Sequence, residues 1–264
     1  MKDIAKLLRR KEMKLKLIGL IFISLWLSAC ATKETGKPSL SDQIQQIEAQ
    51  QAMKPDFEMA AKINAQLGID YLNKNLLDLA KQKIVKAQGQ DDSLAVVHYA
   101  MGLYYSRVGN KERAEDAFEK ALDIEPENYQ ALSYYGQFLC QQEDFKEAES
   151  YFDESLSLQS NNRMGATYEL YGVCVLKYMR DPKRATILFH KALLQNPKLT
   201  LSYYLLAETY ADAGEFHKAD EALNLYLKYI APSKASLELE LKIAKGLIEP
   251  NRVATIQLIL NSKY

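Results

Sequence analysis

A chain of 264 residues, 48% hydrophobic and 26% charged, has the make-up of a globular protein with a sizeable core, which excludes a disordered or fibrous one. Its 34 basic and 34 acidic residues cancel, so no basic excess draws it to nucleic acid. With 11 glycines and 7 prolines it is poor in helix breakers, and a mostly helical fold follows.

The N-terminus comes first. Lys14 and Lys16 precede an apolar run over residues 17–27, which meets Leu27-Ser28-Ala29-Cys30. At ~1.5 Å per residue this run is too short to cross a ~30 Å hydrocarbon core as a helix. A basic start, a short apolar stretch and small residues at its end instead predict a secretory leader over residues 1–29, beginning at Met1 or Met13. The four residues closing the run resemble a bacterial lipobox, which implies that Cys30 becomes an acylated first residue. By the same resemblance, Ala31 after the cysteine implies the outer membrane of a Gram-negative cell, facing the periplasm. Residues 1–29 hold seven basic and two acidic side chains, so the remainder carries a net charge of about −5. That sign again argues against a nucleic-acid partner.

Residues 30–56 are polar, rich in Gln and interrupted by Gly36, Pro38 and Pro55, and they read as a tether. As a flexible coil, 26 residues reach roughly 28 Å.

From there to residue 264 the chain repeats. Leu67-Gly68, Met101-Gly102 and Tyr135-Gly136 fall 34 residues apart, and each is followed at fixed offsets by a large side chain, an alanine, a second large side chain and a small residue. In the second unit these are Tyr105, Ala114, Phe118 and Ala121, closed by Pro126. Leu206-Ala207, Tyr210, Ala219 and Leu223 repeat the pattern in the fifth. The small residues belong where two helices of a hairpin approach closely, the large ones fill the wedge between neighbours, and proline ends the second helix. Gly109, Gly214 and Asn75 fall in the turns, where a left-handed backbone suits them. This is the signature of tetratricopeptide helical hairpins. The expected fold is all-α, a right-handed superhelical solenoid of about five repeats over residues 57–264, with a C-terminal capping helix pair marked by Val253, Ile256 and Leu260. Unit four departs from the period: Gly172 lies 36 residues after Gly136, which puts a two-residue insertion near residues 161–164 and one more near Arg180-Asp181-Pro182. These insertions predict a loosened or re-angled joint between units three and four.

Nothing here points to bond chemistry. The three histidines, His98, His190 and His217, have no metal-ligand spacing, and no phosphate-binding glycine loop or nucleophile elbow occurs. No enzyme activity, metal, cofactor or small-molecule substrate is expected beyond the acyl chains on Cys30. Cys140 and Cys174 lie on first helices of consecutive units, side by side. They form either a disulfide stapling that joint or two buried thiols. The binding surface of such an array is the inner face of its first helices. By repeat phase it comprises Tyr99, Leu103 and Arg107; Ser133, Gln137 and Gln141; Glu169, Val173 and Lys177; and Tyr204, Glu208 and Asp212. Its mixture of apolar and polar groups suits an extended or helical peptide.

The stretches Tyr134-Tyr135-Gly136-Gln137-Phe138-Leu139-Cys140-Gln141-Gln142 and Tyr168-Glu169-Leu170-Tyr171-Gly172-Val173-Cys174, in a lipoprotein of this size, resemble the type IV pilus biogenesis and stability lipoproteins, the tetratricopeptide-repeat pilotins. Membership implies a partner, the outer-membrane secretin of the pilus machinery, and a role in its localisation and multimerisation. The alternative is a lipoprotein scaffold for another envelope complex, such as cell-wall hydrolases or barrel assembly.

Overall fold

The computed structural model describes residues 56–264; the leader, Cys30 and the tether up to residue 55 lie outside the described residues. Among the described residues there are twelve α-helices and no strand, in six antiparallel pairs. The first pair is α1 (Phe57–Asn73) and α2 (Leu77–Gln90), the second α3 (Ala95–Arg107) and α4 (Lys111–Ile124), the third α5 (Tyr129–Gln141) and α6 (Phe145–Ser157). Then come α7 (Met164–Lys177) with α8 (Pro182–Gln195), α9 (Thr200–Asp212) with α10 (Phe216–Leu227), and α11 (Lys234–Gly246) with α12 (Pro250–Lys263). Each pair packs on the next, which makes a helical solenoid whose main core runs from α1 to α11.

The helices start where side chains can satisfy free backbone N–H groups. Asp56 accepts from Met59 N, Asn110 from Arg113 N, Asn128 from Ala131 N and Asp181 from Arg184 N. Between the helices of a pair the chain reverses through a left-handed residue: Asn75, Gly109, Glu143, Arg180, Gly214 and Ile248 all have φ between 56° and 78°. The expected Asn and Gly are there, but Glu143, Arg180 and Ile248 hold the same geometry without glycine's freedom. The turn is imposed by the packing of the two helices it joins.

Within a pair, a ring on the second helix lies flat under a glycine on the first. A Cβ added at Gly102 would stand 2.9 Å from the Phe118 ring, and one at Gly172 2.6 Å from the Phe189 ring, so neither site accepts a side chain without a shift. Such rings also bind the next unit: Phe118 stacks on Tyr135 with centroids 5.5 Å apart, and Phe152, which lies against Gly136, on Tyr171 at 4.6 Å. One ring thus serves both the hairpin and the joint.

The last pair has a small core of its own. Leu237, Ala244 and Ile256 are buried together, with Leu241, Val253 and Leu260 packed around them. Arg252 ties this pair to unit five, donating to Asp220 of α10 at 2.7 Å, to Glu240 of α11 at 3.0 Å and to Glu249 at 3.2 Å.

Phe152 is fully buried whereas Ile187, on the outer side of α8, is 57% exposed. Phe152→Ala is therefore expected to cost about 3–5 kcal/mol of unfolding free energy, and Ile187→Ala less than about 0.5 kcal/mol. Urea denaturation of the two variants checks the contrast.

Candidate functional site: the inner face and its joints

The twelve residues expected on the inner face divide by their height along the first helices. Leu103, Gln137, Val173 and Glu208 share one phase and are half-buried, while Arg107, Gln141, Lys177 and Asp212, one turn further on, are exposed. These eight present side chains to solvent on α3, α5, α7 and α9. The third phase does not behave as expected. Tyr99 is 2% exposed and Ser133 3% exposed, so neither is available to a ligand. Their phase falls where the first helix of one unit meets that of the next. Tyr99 sits 5.7 Å from the Tyr134 ring and directs its hydroxyl to Gln130 Oε1 at 3.3 Å, both on α5. The other two residues of this phase also face neighbours: Tyr204 packs on Tyr226 of α10, and Glu169 reaches α9.

Glu169 crosses from unit four to unit five. Its Oε2 accepts the Ser202 N–H at 3.0 Å and the Ser202 hydroxyl at 2.7 Å. A carboxylate is thereby placed on free N–H groups in the first turn of α9, the favourable sign for a helix start. Burial pushes the Glu169 pKa up, and the two bonds from Ser202 pull the other way.

Between units three and four, Cys140 and Cys174 are both fully buried and bonded, with Cα atoms 5.8 Å apart. In the same joint, two turns back along α5 and α7, is a polar cluster that the repeat pattern did not disclose. Ser133 donates to Tyr129 O at 2.7 Å and lies 2.9 Å from Ser155 Oγ and 3.0 Å from Thr167 Oγ1. Asn161, from the two-residue insertion, is buried against them, and its amide nitrogen reaches Ser155 O at 3.0 Å and Thr167 Oγ1 at 3.2 Å. Among the described residues no buried side-chain N or O lacks a partner. The insertion, expected to loosen or re-angle this joint, places a bonded amide inside it. On the outer side, the Arg184 guanidinium lies 5.1 Å over the Tyr171 ring and also bonds Glu149 and the Tyr171 hydroxyl. Burial leaves that phenol pushed up to about 12.

The wider gap is one joint later. Neighbouring first helices pack closely from α1 through α7, and again at α9 with α11; α7 and α9 approach less closely and meet through Glu169 and Ser202. A cleft of about 730 Å³ opens there and brings Lys177, Glu208 and Asp212 of the expected face together. Arg180 and Lys183 also line it; both were outside the expected set, and the extra residue in the turn of unit four was the signal that could have found them. Among the described residues no group of three or more His, Cys, Asp or Glu could hold a metal ion. His98 is buried with Nε2 2.6 Å from Asp92 O, and His190 lies 2.8 Å from the Tyr210 hydroxyl.

Stacked helix pairs with a 34-residue period, a ring under a glycine and an open inner face define a tetratricopeptide-repeat scaffold. Residues 74–228, more than half of the chain, match the family described as the cilia and flagella-associated protein 70 middle TPR-like domain, and the chain belongs to that family. The chain is also 26% identical over 199 residues to the type IV pilus assembly protein PilF of Pseudomonas aeruginosa, an alignment that covers 75% of this chain and 79% of that one. Among solved structures it is similar to P. aeruginosa PilF, with a TM-score of 0.63, 25% identity and coverage of 80% of this chain and 94% of the other. PilW, described as a widely conserved type IV pilus biogenesis factor, shares the fold with a TM-score of 0.63 at 23% identity over 77% of this chain and 93% of its own.

Two predictions follow from the joints. Replacing both cysteines, Cys140→Ser with Cys174→Ser, is expected to lower stability by roughly 3–4 kcal/mol, the loop-closure value for a separation of 34 residues. Denaturant unfolding under non-reducing conditions measures it, and two free thiols in the unfolded wild-type chain would contradict the bridge. For Glu169 the sign is set by burial. Its pKa in the folded state lies above its unfolded value, so the wild type gains stability as pH falls toward the carboxylate range and loses it as pH rises through the folded pKa. Glu169→Gln keeps an acceptor for Ser202 without the charge. Its stability advantage over wild type should be largest at neutral pH and shrink at about pH 4.5, as read from urea midpoints.

Proposed function

We propose that this chain is a lipid-anchored outer-membrane protein of the type IV pilus machinery, which binds the secretin subunit and assists its localisation and multimerisation. The observation that carries the reading is the alignment with PilF across three quarters of this chain and most of that protein. The leader and the lipobox ending in Cys30 support it from the sequence side. Acyl chains on Cys30 would hold the protein at the bilayer, since each buried CH₂ contributes ~0.8 kcal/mol and more than one chain gives stable anchoring. The tether over residues 31–56 would give the solenoid its reach. The open inner face, with Leu103, Gln137, Val173 and Glu208 along it, would cover a secretin segment until rings close.

Deletion of the gene is expected to remove surface pili and heat-resistant secretin multimers from the outer membrane, as seen by electron microscopy and by gel analysis of membrane fractions. Normal multimers in the deletion strain would refute the reading. Cys30→Ala should leave the protein in a soluble or inner-membrane pool on fractionation.

A further inference from the structure

The gap between units four and five has a local cause. In the other five pairs three residues separate the two helices, but between α7 and α8 there are four, from Tyr178 to Asp181. The chain runs past Lys177, turns at Arg180 with φ 58°, and returns so that Asp181 N donates to Val175 O at 3.1 Å. The longer turn brings Arg180 to the cleft beside the C-terminal ends of α7 and α9. Glu169, in the second turn of α7, ties to Ser202 in the first turn of α9. The two helices are thus linked through side chains on one side of the cleft, and the cleft lies toward their C-terminal ends.

Its charges are arranged unequally. Leu176 and Leu205 give it an apolar floor. One wall carries Lys177, Arg180 and Lys183, and none of the three has a carboxylate within 4.0 Å among the described residues. The other wall carries Glu208, Asp212 and Glu215, but Lys242 holds Asp212 and Lys218 holds Glu215. Three uncompensated cations thus face a single uncompensated carboxylate, Glu208, on a chain whose net charge after residue 29 is about −5. A local potential opposite in sign to the whole molecule selects what can enter.

We propose that this cleft is the docking site for an extended segment of the partner protein that presents an acidic side chain next to an aliphatic one. The carboxylate goes to Lys177, Arg180 and Lys183, and the aliphatic group to the floor between Leu176 and Leu205. Glu208 on the far wall sets the direction by accepting a backbone N–H of the segment. The volume lies within the range of pockets that enclose a few side chains. This inference rests on the reading of the array as a protein-binding scaffold and does not depend on which protein is bound.

The test uses the purified full-length chain and three fluorescein-labelled octapeptides: alternating Asp and Leu, alternating Lys and Leu, and alternating Asp and Ser. Fluorescence anisotropy should show the Asp/Leu peptide binding at least tenfold more tightly than either control. Lys177→Glu with Arg180→Glu and Lys183→Glu should weaken it at least tenfold, while Lys120→Glu, exposed on α4 and outside the inner face, should change it less than twofold. Lys183→Ala, at an exposed position, should weaken binding about threefold with an unchanged melting curve, which keeps the test valid if the triple variant folds poorly. No binding of the Asp/Leu peptide, equal binding of the Lys/Leu peptide, or an unaffected triple variant would overturn the proposal. Those results come from purified protein and leave the secretin reading to its own genetic test.

Discussion

The close approach of two helices across a glycine is the constraint on which the rest of this molecule depends. A first helix reaches its partner's ring only because positions such as Gly102 and Gly172 lack a Cβ. That approach presses Phe118, Phe152 and Phe189 out of water entirely. Two of these rings are then covered by the next unit: Tyr135 on Phe118 and Tyr171 on Phe152. The 34-residue period is the spacing at which this two-sided use of one ring can recur. The turns conform to it, which is why Glu143, Arg180 and Ile248 accept a left-handed backbone that glycine takes elsewhere at less cost.

Because the joints are built by the same rings as the hairpins, side chains at the N-terminal end of the first helices are drawn into them. This is where sequence reasoning fell short. Helical phase alone placed Tyr99 and Ser133 on the inner face with Leu103 and Gln137. Phase reports which side of its own helix a residue is on; it does not report where the neighbouring helix crosses. The crossing buries Tyr99 against Tyr134 and Ser133 in the hydroxyl cluster. The repeat itself, the antiparallel pairs and the Val253–Ile256–Leu260 stripe were legible, since they rest on side-chain size at fixed spacing. The role of Asn161 was not, because a buried amide is recognisable only once its partners Ser155 and Thr167, six residues to either side, are seen together. The proximity of Cys140 and Cys174 was half legible. Consecutive first helices place them side by side, but bonding distance needs the 5.8 Å approach the structure supplies.

Unit four received two insertions, and their outcomes differ for a physical reason. The residues added near Asn161 enter the joint between units three and four, where an amide finds a backbone carbonyl and two hydroxyls. A buried polar group so satisfied rigidifies its surroundings. The disulfide lies in the same joint, so the two features act on one contact. The residue added near Arg180 has no such buried partners. Its side chain stays in solvent, and the backbone lengthens the turn instead. The longer turn borders the cleft between α7 and α9, while Glu169 links the two helices through Ser202.

An array with one closed joint and one splayed joint is not a uniform surface. Up to unit four the first helices touch, and the inner face offers a shallow strip of half-buried side chains. At unit five the strip breaks into a cleft with its own floor and a charge opposite to that of the chain. A partner segment lying along the strip gains apolar contact spread over several units, with little to fix its register. A segment that also enters the cleft meets directional charges at one point along its length. Affinity and register would then come from different parts of the same face, and the position of the longer turn decides where the second begins.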